Sequence, residues 1–149
     1  MTRIFTAALL ALGFTLGGAS VALACNGHEA TAAAPVDAAT LASWIEKKET
    51  KVFHAADAAT FAAGTLPTAV RVDYTALDAA TLGADKDARM TFLCGSSMCG
   101  ASKKAAMAAM ELGYTNVHVF KEGIAGWKAA GKELVVAQAP KAAKVKADG

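Results

Sequence analysis

Between residues 37 and 137, short apolar and β-branched runs alternate with alanine-rich stretches of helical spacing, and no other feature constrains the fold as much. Strands separated by helices must return by crossover connections. Such connections give a mostly parallel sheet with helices on both faces. Asp37 can cap a helix that carries Leu41, Trp44, Ile45 and Lys48, and Lys51 to His54 then reads as a strand. A short helix through Phe61 stops at Gly64, Leu66-Pro67 turns the chain, and Ala69 to Asp73 forms the next strand. A helix through Leu77 and Leu82 follows, and then the apolar run Met90 to Cys94, which has the character of a buried parallel strand. After the loop GSSMCG, a helix from Ser102 carries Ala105, Ala106, Ala109, Met110 and Leu112, with Gly113 as its stop. Asn116 to Phe120 is a further strand, a helix holding Ile124 and Trp127 ends at Gly131, and a short strand over Glu133 to Ala137 closes the pattern. The expectation is a three-layer α/β sandwich spanning residues 36–137.

The two ends differ in composition from this domain. Arg3 is followed by an apolar run from Ile4 to Ala24 that ends in Ala22-Leu23-Ala24, the small-x-small pattern cut by a signal peptidase. Residues 1–24 therefore read as a signal peptide, and the protein is expected to be exported to the periplasm. Cys25 comes immediately after the cut, so it is either a lipidation site that tethers the chain to a membrane or the first residue of a soluble mature protein. Residues 25–35 read as a flexible tether, and residues 138–149 as a disordered Ala/Lys tail. The balance of 15 Lys and Arg against 13 Asp and Glu, a net charge of +2, contains no aromatic-bearing basic block, and nucleic acid is not an implied partner. With 3 Cys and no zinc-finger spacing, neither a disulfide scaffold nor a metal site is indicated. A monomer without a cofactor is expected.

The chemistry concentrates between Cys94 and Ser102. A cysteine at the carboxyl end of a buried strand, ahead of a tight loop and a helix start, sits where open α/β sheets place their sites. Backbone amides of Gly95, Ser96, Ser97 and Met98 can curl around the sulfur, and the next helix points its positive end the same way. Both features predict a thiol acidified toward a nucleophilic thiolate, as opposed to a buried structural cysteine. Cys99 and Gly100 belong to the same loop. Cys99 has three readings: a resolving thiol that forms a disulfide with Cys94, a second reactive group, or a filler of the loop. A C-x-x-C dithiol is absent. A cysteine phosphatase loop is disfavoured as well, because the arginine its C-x5-R pattern needs is replaced by Gly100 after Cys94 and by Ala105 after Cys99.

The stretch FLCGSSMCGASKKAAMAAMELGYTNVHVFKEGIAGWKAAG resembles the catalytic half of a rhodanese-like domain, with its strand, cysteine loop and helix followed by "GY.NV....GI.GW". Upstream, VFHAADAATFAAGTLPTAVRV is similar to the first half of that family, with Phe61, Gly64 and Pro67 in register. The resemblance implies that Cys94 carries sulfur: its thiolate attacks a sulfane sulfur, holds it as a persulfide, and yields it to a thiol acceptor. It implies a small sulfur-containing donor, thiosulfate or a persulfide, bound by the loop from Gly95 to Gly100 together with Ser102 and Lys103. This chain also departs from the family. His54-Ala55-Ala56 stands where Asp-x-Arg is usual, Thr65 replaces a histidine, and the loop is long and lacks arginine. Lys103 and Lys104, in the first helical turn, are either substitutes for the missing cation or part of a solvated helix face. His54 reads as a buried histidine or a base, His118 as a packed one, and Met107 and Met110 as helix packing. Three functions follow: a sulfurtransferase, a thiol–disulfide module using Cys94 and Cys99, or a non-catalytic binding module.

Overall fold

The computed structural model describes residues 33–136, so residues 1–24, read above as a signal peptide, together with Cys25, most of the expected tether and the Ala/Lys segment, lie outside the described residues. Strands β1 (Ala34–Pro35), β2 (Lys51–Ala55), β3 (Val70–Val72), β4 (Met90–Leu93) and β5 (Val117–Phe120) form one sheet in the order β1-β5-β4-β2-β3. Every pairing is parallel. Helices α1 (Ala38–Glu46), α2 (Ala58–Ala63), α3 (Ala79–Leu82), α4 (Ala101–Glu111) and α5 (Gly123–Ala129) connect them.

Strand alternation divides the core in two. Phe53, Phe92, Val117 and Val119 pack with Leu82 of α3 and with Ala105, Ala106 and Ala109 of α4 on one face. Val52, Leu93 and Phe120 pack with Leu41 and Ala42 of α1 and Trp127 of α5 on the other. The result is the expected three-layer sandwich, and β4 at its centre is buried along its whole length. The alanines of α4 give the helix a narrow buried face that lies close to the sheet.

Three of the helices begin in the same way. The tetrapeptide Asp-Ala-Ala-Thr recurs at 37–40, 57–60 and 78–81, and each aspartate caps the helix that follows it. The amides of Thr40, Thr60 and Thr81 donate to Asp37, Asp57 and Asp78 at 2.9, 2.8 and 2.8 Å. Only the first of these caps was expected.

Three boundaries need correction. Ala34 and Pro35, taken as the end of the tether, pair with His118 and Val119 as an edge strand, because the amide of Val36 also reaches Val119. The expected strand over Glu133 to Ala137 is instead a single antiparallel bridge between Thr65 and Val135, with Val135 and Val136 exposed. The helix expected through Leu77 is shorter: Asp78 caps it, and it covers only Ala79–Leu82.

Candidate active site

β4 ends at Leu93 and delivers Cys94 to the carboxyl edge of the sheet, between β2 and β5. Its peptide is fixed from below by α5, where the amide of Ile124 donates to the Cys94 carbonyl and that of Ala125 to the Gly95 carbonyl, both at 3.0 Å. This approach requires Gly123, whose φ is +59°. A Cβ there would collide with the Cys94 carbonyl oxygen. From Gly95 the chain turns back, with the amide of Cys99 bonded to the Ser96 carbonyl at 3.0 Å, and α4 begins after Gly100.

The Cys94 side chain is 1% exposed. Its Sγ lies 3.1 Å from the Cys99 carbonyl oxygen, 3.5 Å from that of Ser96 and 3.6 Å from Ser102 Oγ. The expected cradle of amides from Gly95 to Met98 is therefore replaced largely by carbonyls. Burial first, and the Cys99 thiol second, push the Cys94 thiol above its ordinary range, while the hydroxyl and amide of Ser102 pull the other way. The acidified Cys94 expected from the strand–loop–helix arrangement is thus corrected. Acidity moves to Cys99 instead. Partial burial opposes ionisation there, but the Cys94 S–H and the amides of Ala101 and Gly95 outweigh it and hold Cys99 below its ordinary range. Both cysteines are free thiols, Cys94 buried and Cys99 exposed.

Two grooves meet at Cys99. One, of about 490 Å³, is lined by Ser97, Met98, Gly100, Ser102, Lys103, Met107 and Lys121. The other, of about 700 Å³, is lined by Asp57, Arg71, Asp73, Tyr74 and Gly95. Met107 and Met110 both line the first groove; Met107 is half-exposed, whereas Met110 also packs against the core as expected. Lys103 lines this groove as expected, whereas Lys104 sits over the Tyr74 ring at 5.3 Å. Sequence reading missed Arg71. No cation stands in the loop, but this guanidinium reaches the second groove from the middle of the short strand β3, level with His54 on β2. The available signal was its place on a strand of a parallel sheet, two residues from that strand's expected end.

His54 is fully buried, with Nδ1 3.0 Å from Thr65 Oγ1. The two residues that depart from the family pattern thus partner each other. Nε2 has no partner among the described residues, and burial holds the imidazole below its ordinary pKa. His118 is half-buried, edge-on to Trp44 at 4.9 Å and bonded to Asn116.

A parallel α/β sandwich with a cysteine at the end of its central strand defines a class of thiol-bearing domains. The pattern of the rhodanese-like domain matches residues 37–130, and the chain belongs to that family. Among solved structures, a Bacillus halodurans protein is similar at 24% identity and a TM-score of 0.63, over 69% of this chain and 77% of that one. The thiosulfate sulfurtransferase of Pseudomonas aeruginosa matches at 18% identity and a TM-score of 0.58, over 71% of this chain and 21% of the other. The human single-domain sulfurtransferase matches at 17% identity and a TM-score of 0.55, over 66% of this chain and 96% of the other. These likenesses are of fold. No curated protein sequence matches the chain.

Proposed function

We propose that the protein is a sulfurtransferase that carries sulfane sulfur as a persulfide on Cys94. The observation that carries this reading is the position of Cys94: at the carboxyl end of the central strand, its peptide clamped by α5 and its sulfur 3.1 Å from the Cys99 carbonyl oxygen of the loop folded over it. Membership of the rhodanese-like family and the fold likeness to proteins named as sulfurtransferases support it.

When the thiol pair has lost one proton, the charge rests on Cys99 and the remaining proton on Cys94. As a donor arrives, Cys99 takes that proton and Cys94 attacks. With thiosulfate, a bond forms between Cys94 Sγ and the sulfane sulfur, the S–S bond of the donor breaks, and sulfite leaves with its electron pair. A thiol acceptor then attacks the outer sulfur and restores Cys94. Arg71 in one groove and Lys103 with Lys121 in the other give an anionic donor a place to bind without an arginine in the loop.

The protein is placed outside the cytoplasm, as its N-terminal segment implies: cut after Ala24 and, when Cys25 is lipidated, held at a membrane. N-terminal sequencing of protein recovered from cells checks this, and an intact Met1 overturns it.

The function is tested by mass spectrometry of Cys99→Ser protein treated with thiosulfate at alkaline pH, where more of Cys94 is thiolate than at neutrality. A gain of one sulfur that disappears in the Cys94→Ser/Cys99→Ser double variant is expected. Sulfur retained without Cys94 overturns the assignment. A second reading, a thiol–disulfide module, draws on the way the loop brings residue 99 against the Cys94 sulfur. Its mark is a Cys94–Cys99 disulfide with no persulfide under any donor.

A further inference from the structure

Cys94 and Cys99 are unequal members of their pair. Cys94 is held on every side: its carbonyl by Ile124, its sulfur by Ser102 and two carbonyls, and its side chain by burial. Cys99 stands on the free arm of the loop. Met98 beside it is 93% exposed, and a Cβ on Gly95 or Gly100 would meet nothing within 4 Å. The turn that bonds the Cys99 amide to Ser96 folds this arm back over Cys94, and brings the carbonyl of residue 99 to 3.1 Å from the Cys94 sulfur. A fixed thiol beneath a movable, solvent-facing one is the geometry of a carrier and its resolver.

We propose that Cys99 resolves the Cys94 persulfide by attacking its inner sulfur, closing a Cys94–Cys99 disulfide and expelling the sulfane sulfur as hydrosulfide. This rests on the persulfide reading above and extends it to a second product. The Cys99 thiol, which took up the Cys94 proton during loading, passes a proton to the departing sulfur. The new bond joins Cys99 Sγ to Cys94 Sγ, and the bond between Cys94 Sγ and the outer sulfur breaks. The two cysteine sulfurs together lose two electrons, and the outer sulfur gains them and leaves as HS⁻. An external dithiol, or two monothiols, then reduces the disulfide and is itself oxidised. Cys99 opens onto both grooves, so the disulfide is within reach of that reductant. With thiosulfate, one turnover yields sulfite and sulfide, and one disulfide forms on the reductant.

The disulfide spans few residues, and the loop that closes it has glycines at positions 95 and 100. The arm moves without disturbing the core, because none of Ser97, Met98, Cys99 or Gly100 is buried. The cost of resolution falls on the loop alone.

The experiment is a single turnover without oxygen and without added thiol. Reduced wild-type, Cys99→Ser and Cys99→Ala proteins are each given one equivalent of thiosulfate at alkaline pH, where loading of Cys94 does not depend on Cys99 as proton acceptor, after which intact mass and free sulfide are measured. The wild type is expected to lose two hydrogens and to release close to one equivalent of sulfide. Both Cys99 variants are expected to keep one added sulfur and release at least tenfold less. Wild-type protein that keeps the added sulfur and releases no sulfide overturns the resolving role and leaves the carrier role of Cys94 standing. If none of the three proteins gains sulfur or releases sulfide, the carrier role itself fails, and the resolving role with it. Sulfide release that persists in the Cys99 variants also overturns the proposal.

Discussion

Gly123 lies directly beneath the Cys94 peptide, so close that a Cβ on it would overlap the carbonyl oxygen and sit 2.9 Å from the carbonyl carbon. With φ at +59°, the position excludes side chains on two counts: backbone conformation and space. Gly123→Ala is expected to cost about 2–4 kcal/mol and to misplace Cys94 as it does so. Thermal melting reads the first effect, and persulfide yield at a temperature where the variant is folded reads the second. Full yield with an unchanged melting temperature would show that α5 does not set the position of the thiol.

Ser102 gives the cysteine pair a different kind of control. Its hydroxyl, 3.6 Å from Cys94 Sγ, stabilises the thiolate against burial. Removing the hydroxyl in Ser102→Ala leaves burial less opposed, so the Cys94 pKa rises further. The ascending limb of the pH–rate profile for persulfide formation should move to higher pH, with the rate near neutrality reduced roughly fivefold. An unmoved limb would remove Ser102 from the acid–base balance of the site.

Arg71 and Lys103 border different grooves, and that separates their effects. Arg71→Ala is expected to raise KM for thiosulfate roughly three- to tenfold and to leave kcat within about twofold, because an exposed guanidinium binds the sulfonate without entering the transfer step. An uncharged persulfide donor should be unaffected. Lys103→Ala distinguishes the two grooves: equal losses in the two variants mean that the donor spans both, and a loss in Lys103→Ala alone puts it in the methionine-lined one.

Acid should destabilise the fold in two stages. Burial depresses the pKa of His54, and burial together with Arg89 depresses that of His118, so below the ordinary value of 6.5 the unfolded chain takes up protons that the folded one refuses. Stability conferred by these neutral imidazoles is complete above that value and declines as pH falls through the folded pKa values. The caps follow at lower pH. Asp37 and Asp57, held below 3.8 first by the backbone amide of the threonine three residues on, and Asp78, held there first by the hydroxyl of its threonine, keep their contribution until they protonate. Denaturant titrations at a series of pH values check the order, and His54→Gln should flatten the upper stage.

The layers of the sandwich and the position of Cys94 were legible in the sequence, because strand patterning and a glycine-rich break after an apolar run are local signals. The repeated Asp-Ala-Ala-Thr was equally legible and yields three helix starts, although only Asp37 was read that way. The acidity of the thiols was not legible. It depends on which backbone groups face the sulfur, and a loop from Gly95 to Gly100 can offer amides or carbonyls depending on a turn that no residue type dictates. Arg71 was hidden for a related reason: it lies 23 residues before Cys94 and reaches the site only through the pairing of β3 with β2. The His54–Thr65 hydrogen bond joins two departures from the family pattern that, taken singly, each looked like a loss.

The sheet places its first strand beside its last, and this sets the order of events during synthesis. Ala34 pairs with His118, about 84 residues further along, so the β1 edge has no partner until almost the whole domain has been made. The bridge from Thr65 to Val135 waits longer still. In a nascent chain of this topology β2, β3 and β4 can pair first, and the sheet is complete only once β5 has been made.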